Sequence, residues 1–175
     1  WSSDVCSSDL EPYYREALET SRRVLGDEHP GTRTSINNIG SLLKSQGKLS
    51  EAEQYYREAL ETHRRVLGNE HLNTLTSINN MGALLYAQGK LSEAEQYYHE
   101  ALEAMRRVRG DEHPYTAHFL RGRHGILLQL ERSTQARTLL SEFLATSSLP
   151  EDHALRVAVR GLLEAMDAPP ADEGD

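Results

Sequence analysis

Apolar positions in residues 30–67 fall into two stripes with a glycine between them. Ile36, Ile39, Gly40, Leu42 and Leu43 recur at spacings of three and four, the period of one helix face. Ala52, Tyr55, Tyr56, Ala59 and Leu60 form the second stripe. Pro30 suits a helix start, since its φ is fixed and it has no N–H to leave unpaired. Gly47 ends the first helix by supplying a residue that turns left-handed without penalty. Ser50 is expected to cap the second, with Glu51 and Glu53 in its positive first turn. Arg64 and Arg65 favour its negative end, and Gly68 stops it.

The same pattern returns. Residues 26–67 and 68–109 align without a gap at a period of 42, and 30 of the 42 positions are identical. The peptide EAEQYYREAL at 51–60 recurs as EAEQYYHEAL at 93–102, and EPYYREAL at 11–18 matches one period earlier. One period later Ala136, Leu139, Leu140, Glu142 and Leu144 keep the register. Neither helix of a pair can hide its stripe alone; stacking on the next pair supplies the missing core.

These residues identify a resemblance. Ile36, Ile39, Gly40 and Leu43, followed by Gly47, Ala52, Tyr56 and Ala59, resemble the tetratricopeptide signature, and Gly82, Leu85, Gly89, Ala94, Tyr98 and Ala101 repeat it. Ile36 and Leu43 stand where that signature has a tryptophan and a tyrosine. Gly40 and Ala52 are small enough to let two helices approach closely. The 42-residue period exceeds the usual ~34, which adds about 12 Å of helix per repeat. That length, the Gly26 to Pro30 junction (GDEHP, again at 110–114) and the Ile36-Asn37-Asn38 run resemble the kinesin-light-chain type of repeat. The implied fold is all-α, a right-handed α-solenoid of antiparallel helix pairs.

The organisation expected from this has several parts. Residues 1–10 (WSSDVCSSDL) break the pattern and resemble a translated sequencing adapter, so they are set aside as a non-native scar, with Trp1 and Cys6 inside it. Residues 11–25 read as the second helix of a truncated repeat. Residues 26–67 and 68–109 are two full repeats, and 110–146 a degenerate third. There Asn79-Asn80 becomes Arg121-Gly122, Gly82 becomes His124, and the turn glycine Gly89 becomes Glu131; the bulkier His124 is expected to spread or tilt its helix pair. Residues 150–167 read as a C-terminal capping helix, with Leu155, Val159, Leu162, Leu163 and Met166 on one face. Residues 168–175 read as a disordered acidic tail.

Composition narrows the function. The net charge is −8, which disfavours nucleic acid and anionic membranes because both need a basic face. No apolar run approaches the ~18–20 residues that span a bilayer. One cysteine cannot build a disulfide framework, and the first residues lack the charged start and apolar core of a secretory signal. A cytoplasmic setting is the expectation. No nucleophile elbow, phosphate loop, zinc spacing or dinucleotide fingerprint occurs, so no enzyme activity, catalytic residue, cofactor or metal is expected.

The resemblance implies that the first helix of each pair lines a concave groove. Carried over by position, its rows are Thr34, Asn37, Asn38, Ser41, Lys44 and Ser45; then Thr76, Asn79, Asn80, Ala83, Tyr86 and Ala87; then His118, Arg121, Gly122, Gly125, Leu128 and Gln129. Asparagine offers donors and an acceptor to a peptide backbone whatever the peptide's side chains. The small Ser41, Ala83 and Gly125 leave room for it. Lys44, Arg121 and Arg123 would favour an acidic peptide through charge-assisted bonds. The expected function is a protein-interaction scaffold that holds an extended peptide. A regulatory array of a larger kinase or protease is an alternative. Self-association is another, through an apolar face of Tyr13, Tyr14, Ala17, Leu18 and Val24.

Other repeated residues have simpler readings. His29, His71 and His113 lie a full repeat apart, too far to share an ion, and sit where helix N-termini need acceptors. The pairs Arg22-Arg23, Arg64-Arg65 and Arg106-Arg107 complement helix C-termini and are expected to pair with glutamates such as Glu61. In each tyrosine pair (Tyr13-Tyr14, Tyr55-Tyr56, Tyr97-Tyr98) one ring packs inward and the other is partly exposed.

Overall fold

A computed structural model describes residues 7–168; the expected acidic tail beyond residue 168 and residues 1–6 of the expected scar lie outside it. Eight helices and no strand occur among the described residues: α1 Ser7–Leu25, α2 Pro30–Ser45, α3 Leu49–Leu67, α4 Leu72–Ala87, α5 Leu91–Arg109, α6 Pro114–Gln129, α7 Ser133–Thr146 and α8 Ala154–Asp167. The fold is an all-α helical repeat. The chain divides into two compact units, residues 1–104 and 105–175.

In the first unit α1 packs on α2, α2 on α3 and α3 on α4. Ile36, Ile39 and Leu43 of α2 are buried, as are Ala52, Tyr56, Ala59 and Leu60 of α3. The two helices touch most closely at Gly40, where a Cβ would lie 2.8 Å from two ring carbons of Tyr56. No larger residue fits there unless the ring moves. One period on, a Cβ on Gly82 would lie 3.2 Å from the Tyr98 ring. Leu18 of α1 is buried, whereas Tyr13 and Val24 are 69% and 68% exposed. Of the expected apolar face, Leu18 is thus covered by packing, Tyr14 is half-buried, and Tyr13, Ala17 and Val24 are exposed.

The junctions between repeats follow one design. His29, His71 and His113 each take the N-cap position, and Nδ1 accepts the backbone N–H of Gly31, Asn73 and Tyr115 at 3.1, 3.1 and 3.2 Å. His153 caps α8 in the same way, on Leu155 at 3.2 Å. Beside each repeat cap a fully buried threonine reaches back: Thr32, Thr74 and Thr116 donate to the carbonyls of Gly26, Gly68 and Gly110 at 2.7, 2.7 and 2.8 Å. Ser50 does not cap α3. The helix begins one residue earlier, at Leu49, with Lys48 at the N-cap and no side-chain cap bond. Gly47 explains the shift: at φ 75° it closes a turn so tight that α3 starts before Ser50 is reached.

The arginine ladder is paired, with different partners from those expected. Arg22 bonds Glu58 at 2.5 Å and Arg64 bonds Glu100 at 2.7 Å, each across 36 residues to the following second helix rather than within its own helix. Lys48 bonds Glu11 at 2.6 Å and Lys90 bonds Glu53 at 3.1 Å in a parallel row.

The first unit also buries a histidine. His63, near the end of α3, is 4% exposed and shares a 2.8 Å hydrogen bond between Nδ1 and the buried Ser77 hydroxyl. Burial first, then the positive charge of Arg33, then His71, push its imidazole down to about 4 from an ordinary 6.5.

The second unit comprises the end of α5 with α6, α7 and α8. Phe119, Leu120, Ile126, Leu127, Leu139, Leu140 and Phe143 form its core. Here the repeat is altered at two matching places. His124 stands two periods after Gly40, and Leu140 two periods after Tyr56. Both are buried, a ring standing in the glycine's register and an aliphatic chain in the tyrosine's. Burial lowers the pKa of His124. Glu131 keeps the left-handed turn of Gly47 and Gly89, at φ 58°. Arg106 bonds Asp111 at 2.7 Å and Thr146 at 2.9 Å and lies 5.1 Å from the Phe143 ring centre. Helix α8 packs on α7 through Leu155 and Val159, with Leu162, Leu163 and Met166 half-buried.

Two outcomes follow for stability. Gly40→Ala destabilises the chain by roughly 1–3 kcal/mol through overpacking against Tyr56. Gly125→Ala, on a helix with nothing within 4 Å of the added carbon, stabilises by about 0.5–1 kcal/mol; urea unfolding of both variants checks the pair. His63 is held neutral in the folded chain, so its contribution is complete above pH 6.5 and is lost as the pH falls through about 4. Unfolding free energy therefore drops between pH 6.5 and 4, by at most about 1.4 kcal/mol per pH unit for each titrating group. His118 and His124, whose pKa values burial also lowers, act in the same direction. Thermal unfolding at stepped pH shows a shallower slope for His63→Gln.

Candidate functional site

The face of α2 that remains clear of the core carries Pro30, Arg33, Thr34, Asn37, Asn38 and Ser41, at steps of three, one, three, one and three. Such steps keep side chains in one line along a helix. Asn73, Thr76 and Asn80 make a parallel line on α4. Between them lies a cavity of about 340 Å3, bounded by these nine residues and by His63 of α3. Its walls carry hydroxyls, amides, an imidazole and the guanidinium of Arg33, and none of the lining residues is a carboxylate.

Six of the residues expected to line a groove therefore meet at one site: Thr34, Asn37, Asn38, Ser41, Thr76 and Asn80. Their hydrogen bonds leave capacity for a ligand. Thr34 and Thr76 donate to the carbonyls one turn back, of Pro30 and Leu72, both at 3.0 Å. Asn37 donates to the Arg33 carbonyl at 3.3 Å, and Asn80 donates to Asn37 Oδ1 at 3.4 Å, a long bond that links the two helices. Asn38 is exposed. Ser41 bonds the buried Tyr56 phenol, whose pKa burial raises.

The remaining expected residues do not line this cavity. Lys44 and Ser45 lie beyond its end on α2, and Asn79, Ala83, Tyr86 and Ala87 lie on α4 outside it. Asn79 is half-buried, whereas Tyr86 is 43% exposed. His118, Arg121, Gly122, Gly125, Leu128 and Gln129 belong to α6, in the second unit. There His118 meets the edge of Phe119 at 5.3 Å, and burial, then Arg121, lower its pKa.

Four lining residues were not among those expected: Pro30, Arg33, His63 and Asn73. Arg33 was within reach of the pattern, one turn before Asn37 on the same face. Asn73 precedes Thr76 by three residues in the same way. No sequence signal marked His63, which reaches the cavity from a different helix. The cation beside the cavity is thus Arg33, and not Lys44.

Comparison with known proteins places this geometry. The tetratricopeptide repeat family profile matches residues 9–64, 37–106 and 73–148. In sequence, no curated protein matches the chain. In structure, the chain is similar to a Podosopora anserina protein assigned as a kinesin light chain with nearly identical TPR-like repeats. That match has a TM-score of 0.79 and 18% identity, and covers 91% of this chain and 77% of the other. A single-substitution variant of that Podosopora protein gives 0.77 at 18% identity, covering 91% and 76%. BtubC (BKLC) from P. vanneervenii gives 0.72 at 20% identity, covering 97% of this chain and 62% of its own. With three overlapping profile matches that span most of its length, the chain belongs to the tetratricopeptide repeat family.

Proposed function

We propose that the chain is a protein–protein interaction scaffold and that the α2/α4 cavity holds an extended segment of its partner. Tetratricopeptide repeats in general carry out protein–protein recognition, and the site here suits a peptide backbone. The observation that carries the reading is the meeting of Asn37, Asn38 and Asn80 with two threonines and a serine along one open cavity. Amide side chains both donate and accept, so they bond peptide groups in either sense. Each such bond contributes on the order of 1 kcal/mol net, and two helical rows allow several at once. The reading assigns no catalytic residue, cofactor or metal to the chain, and a cytoplasmic setting.

Panning immobilised protein against a random dodecapeptide library tests it. Selected peptides bind the parent chain, and Asn38→Ala and Asn80→Ala each weaken them by roughly three- to tenfold in fluorescence anisotropy. Glu103→Ala, far along α5 and exposed, leaves them unchanged. No enrichment over a Gly-Ser control, or equal losses from Glu103→Ala, sinks the reading.

A further inference from the structure

The buried bond between His63 and Ser77 ties α3 to α4 behind the cavity, and it belongs to one repeat. One period on, the two places are held by Met105 and Phe119, both buried. One period earlier they are held by Ser21 and Ser35. Neither pair contains an ionisable group. Arg33, which shares the cavity wall with His63, is likewise followed one period on by the buried Leu75. The architecture therefore packs apolar side chains at all three places in another copy. An imidazole and a guanidinium held away from water are unfavourable substitutes for them, and departures of this kind are expected where a chain does work.

The surroundings of His63 leave no place for a proton. Among the described residues, the charges that act on it are Arg33 from α2 and His71 from the junction before α4, and both oppose a positive imidazole. Helix α4 brings Ser77, Asn73, Thr76 and Asn80, none of them titratable. On its own helix Arg64 is tied to Glu100 of α5, and Arg65 to Glu28. No residue of the cavity wall is a carboxylate. A protonated ring must therefore face Arg33 without an intervening anion or turn outward to water. Like charges at close quarters in a water-poor site repel strongly, so the outward turn wins, and it breaks the bond to Ser77.

We propose that His63 is an acid-operated release built into the α2/α4 cavity: the wall is formed with the ring neutral and bonded to Ser77, and protonation turns the ring to solvent, opens the α3/α4 contact and lets the bound segment go. This rests on the peptide-cavity reading for the segment that leaves, but not for the movement of the ring. The sign follows from the two states. The closed form holds His63 down to about 4, and a ring turned to water has the ordinary 6.5. The closed form is therefore fully favoured above pH 6.5. Its advantage over the open form shrinks by up to about tenfold per pH unit as the pH falls towards 4.

The first arm of the test needs no ligand. Amide hydrogen exchange of the full chain is followed from pH 7.5 to 4.5, corrected for the intrinsic rate at each pH, beside the far-ultraviolet helix signal. Protection of the α4 amides around Ser77 is expected to fall below pH 6.5, by up to about tenfold per pH unit, while the helix signal holds. The double variant His63→Met with Ser77→Phe, which copies the next repeat, keeps its protection level with pH. His63→Gln, neutral and able to bond Ser77, does the same if the double variant folds poorly. Protection that is level with pH in the parent chain overturns the proposal. So does a fall that persists in His63→Gln, or one that runs in step with loss of helix. The second arm uses dodecapeptides selected at pH 7.5, free of ionisable side chains and capped at both ends, so that only the protein titrates. Their affinity for the parent chain drops roughly tenfold or more between pH 6.5 and 4.5, stays level in His63→Gln, and drops less steeply in Arg33→Leu, where the opposing charge is gone. Affinity that is level with pH in the parent chain overturns the release and leaves the peptide-cavity reading. Acid opening in a chain that binds no peptide at any pH leaves the movement of the ring and removes that reading.

Discussion

The hydrogen bond from a buried threonine to the glycine carbonyl that ends the preceding helix, made at Thr32, Thr74 and Thr116, is the constraint on which the repeat depends. A helix end leaves carbonyls unpaired and a helix start leaves N–H groups unpaired. The junction answers both within a few residues: the threonine hydroxyl takes a carbonyl and the histidine Nδ1 takes an N–H. With both ends tied, the short stretch between glycine and threonine has little freedom, so the first helix of a pair leaves the previous one in a set direction. Within the first unit this is what brings the outer lines of α2 and α4 side by side. Asn80 then reaches Asn37, one residue more than a full period away.

Much of this was legible in the sequence because it is governed by period. The stripes at Ile36–Leu43 and Ala52–Leu60 gave the helices, and the 42-residue recurrence gave their pairing. The histidine caps were legible from position alone, since a side chain with an acceptor nitrogen sat where a helix began. Six cavity residues followed from the family resemblance, which puts the first helix of each pair along the groove. What escaped depended on competition between local options. Ser50 is a good capping residue, but the tight turn at Gly47 started the helix before it. Glu61 is close to Arg64 and Arg65 in sequence, but Glu100 meets Arg64 from the next helix and Glu28 meets Arg65 from the junction. Arg33 escaped because a charged residue on a half-open face is normally read as solvated, whereas packing from α3 and α4 covers it.

The two units show how the same architecture absorbs changes that would break one of its copies. The Gly40 contact with Tyr56 excludes a side chain at that place. In the second unit His124 occupies the matching place, and the residue in the tyrosine's register is Leu140. The pair has changed together, a ring gained on one helix and a ring lost on the other. Glu131 has no such partner change; it adopts the left-handed conformation that glycine takes elsewhere, which carries a steric penalty for any side chain.

The cross-helix ion pairs have a consequence for growth of the array. Arg22 reaches Glu58, and Arg64 reaches Glu100, over the same 36 residues; Glu11 and Lys48, like Glu53 and Lys90, are 37 apart. Each copy thus presents an arginine and a glutamate to the copy after it, and a glutamate and a lysine to the copy before it. A duplicated module inserted in frame would arrive with both halves of the exchange already in place, whichever neighbours it met. Lengthening such a chain needs no new complementarity to evolve, only another copy of what is there.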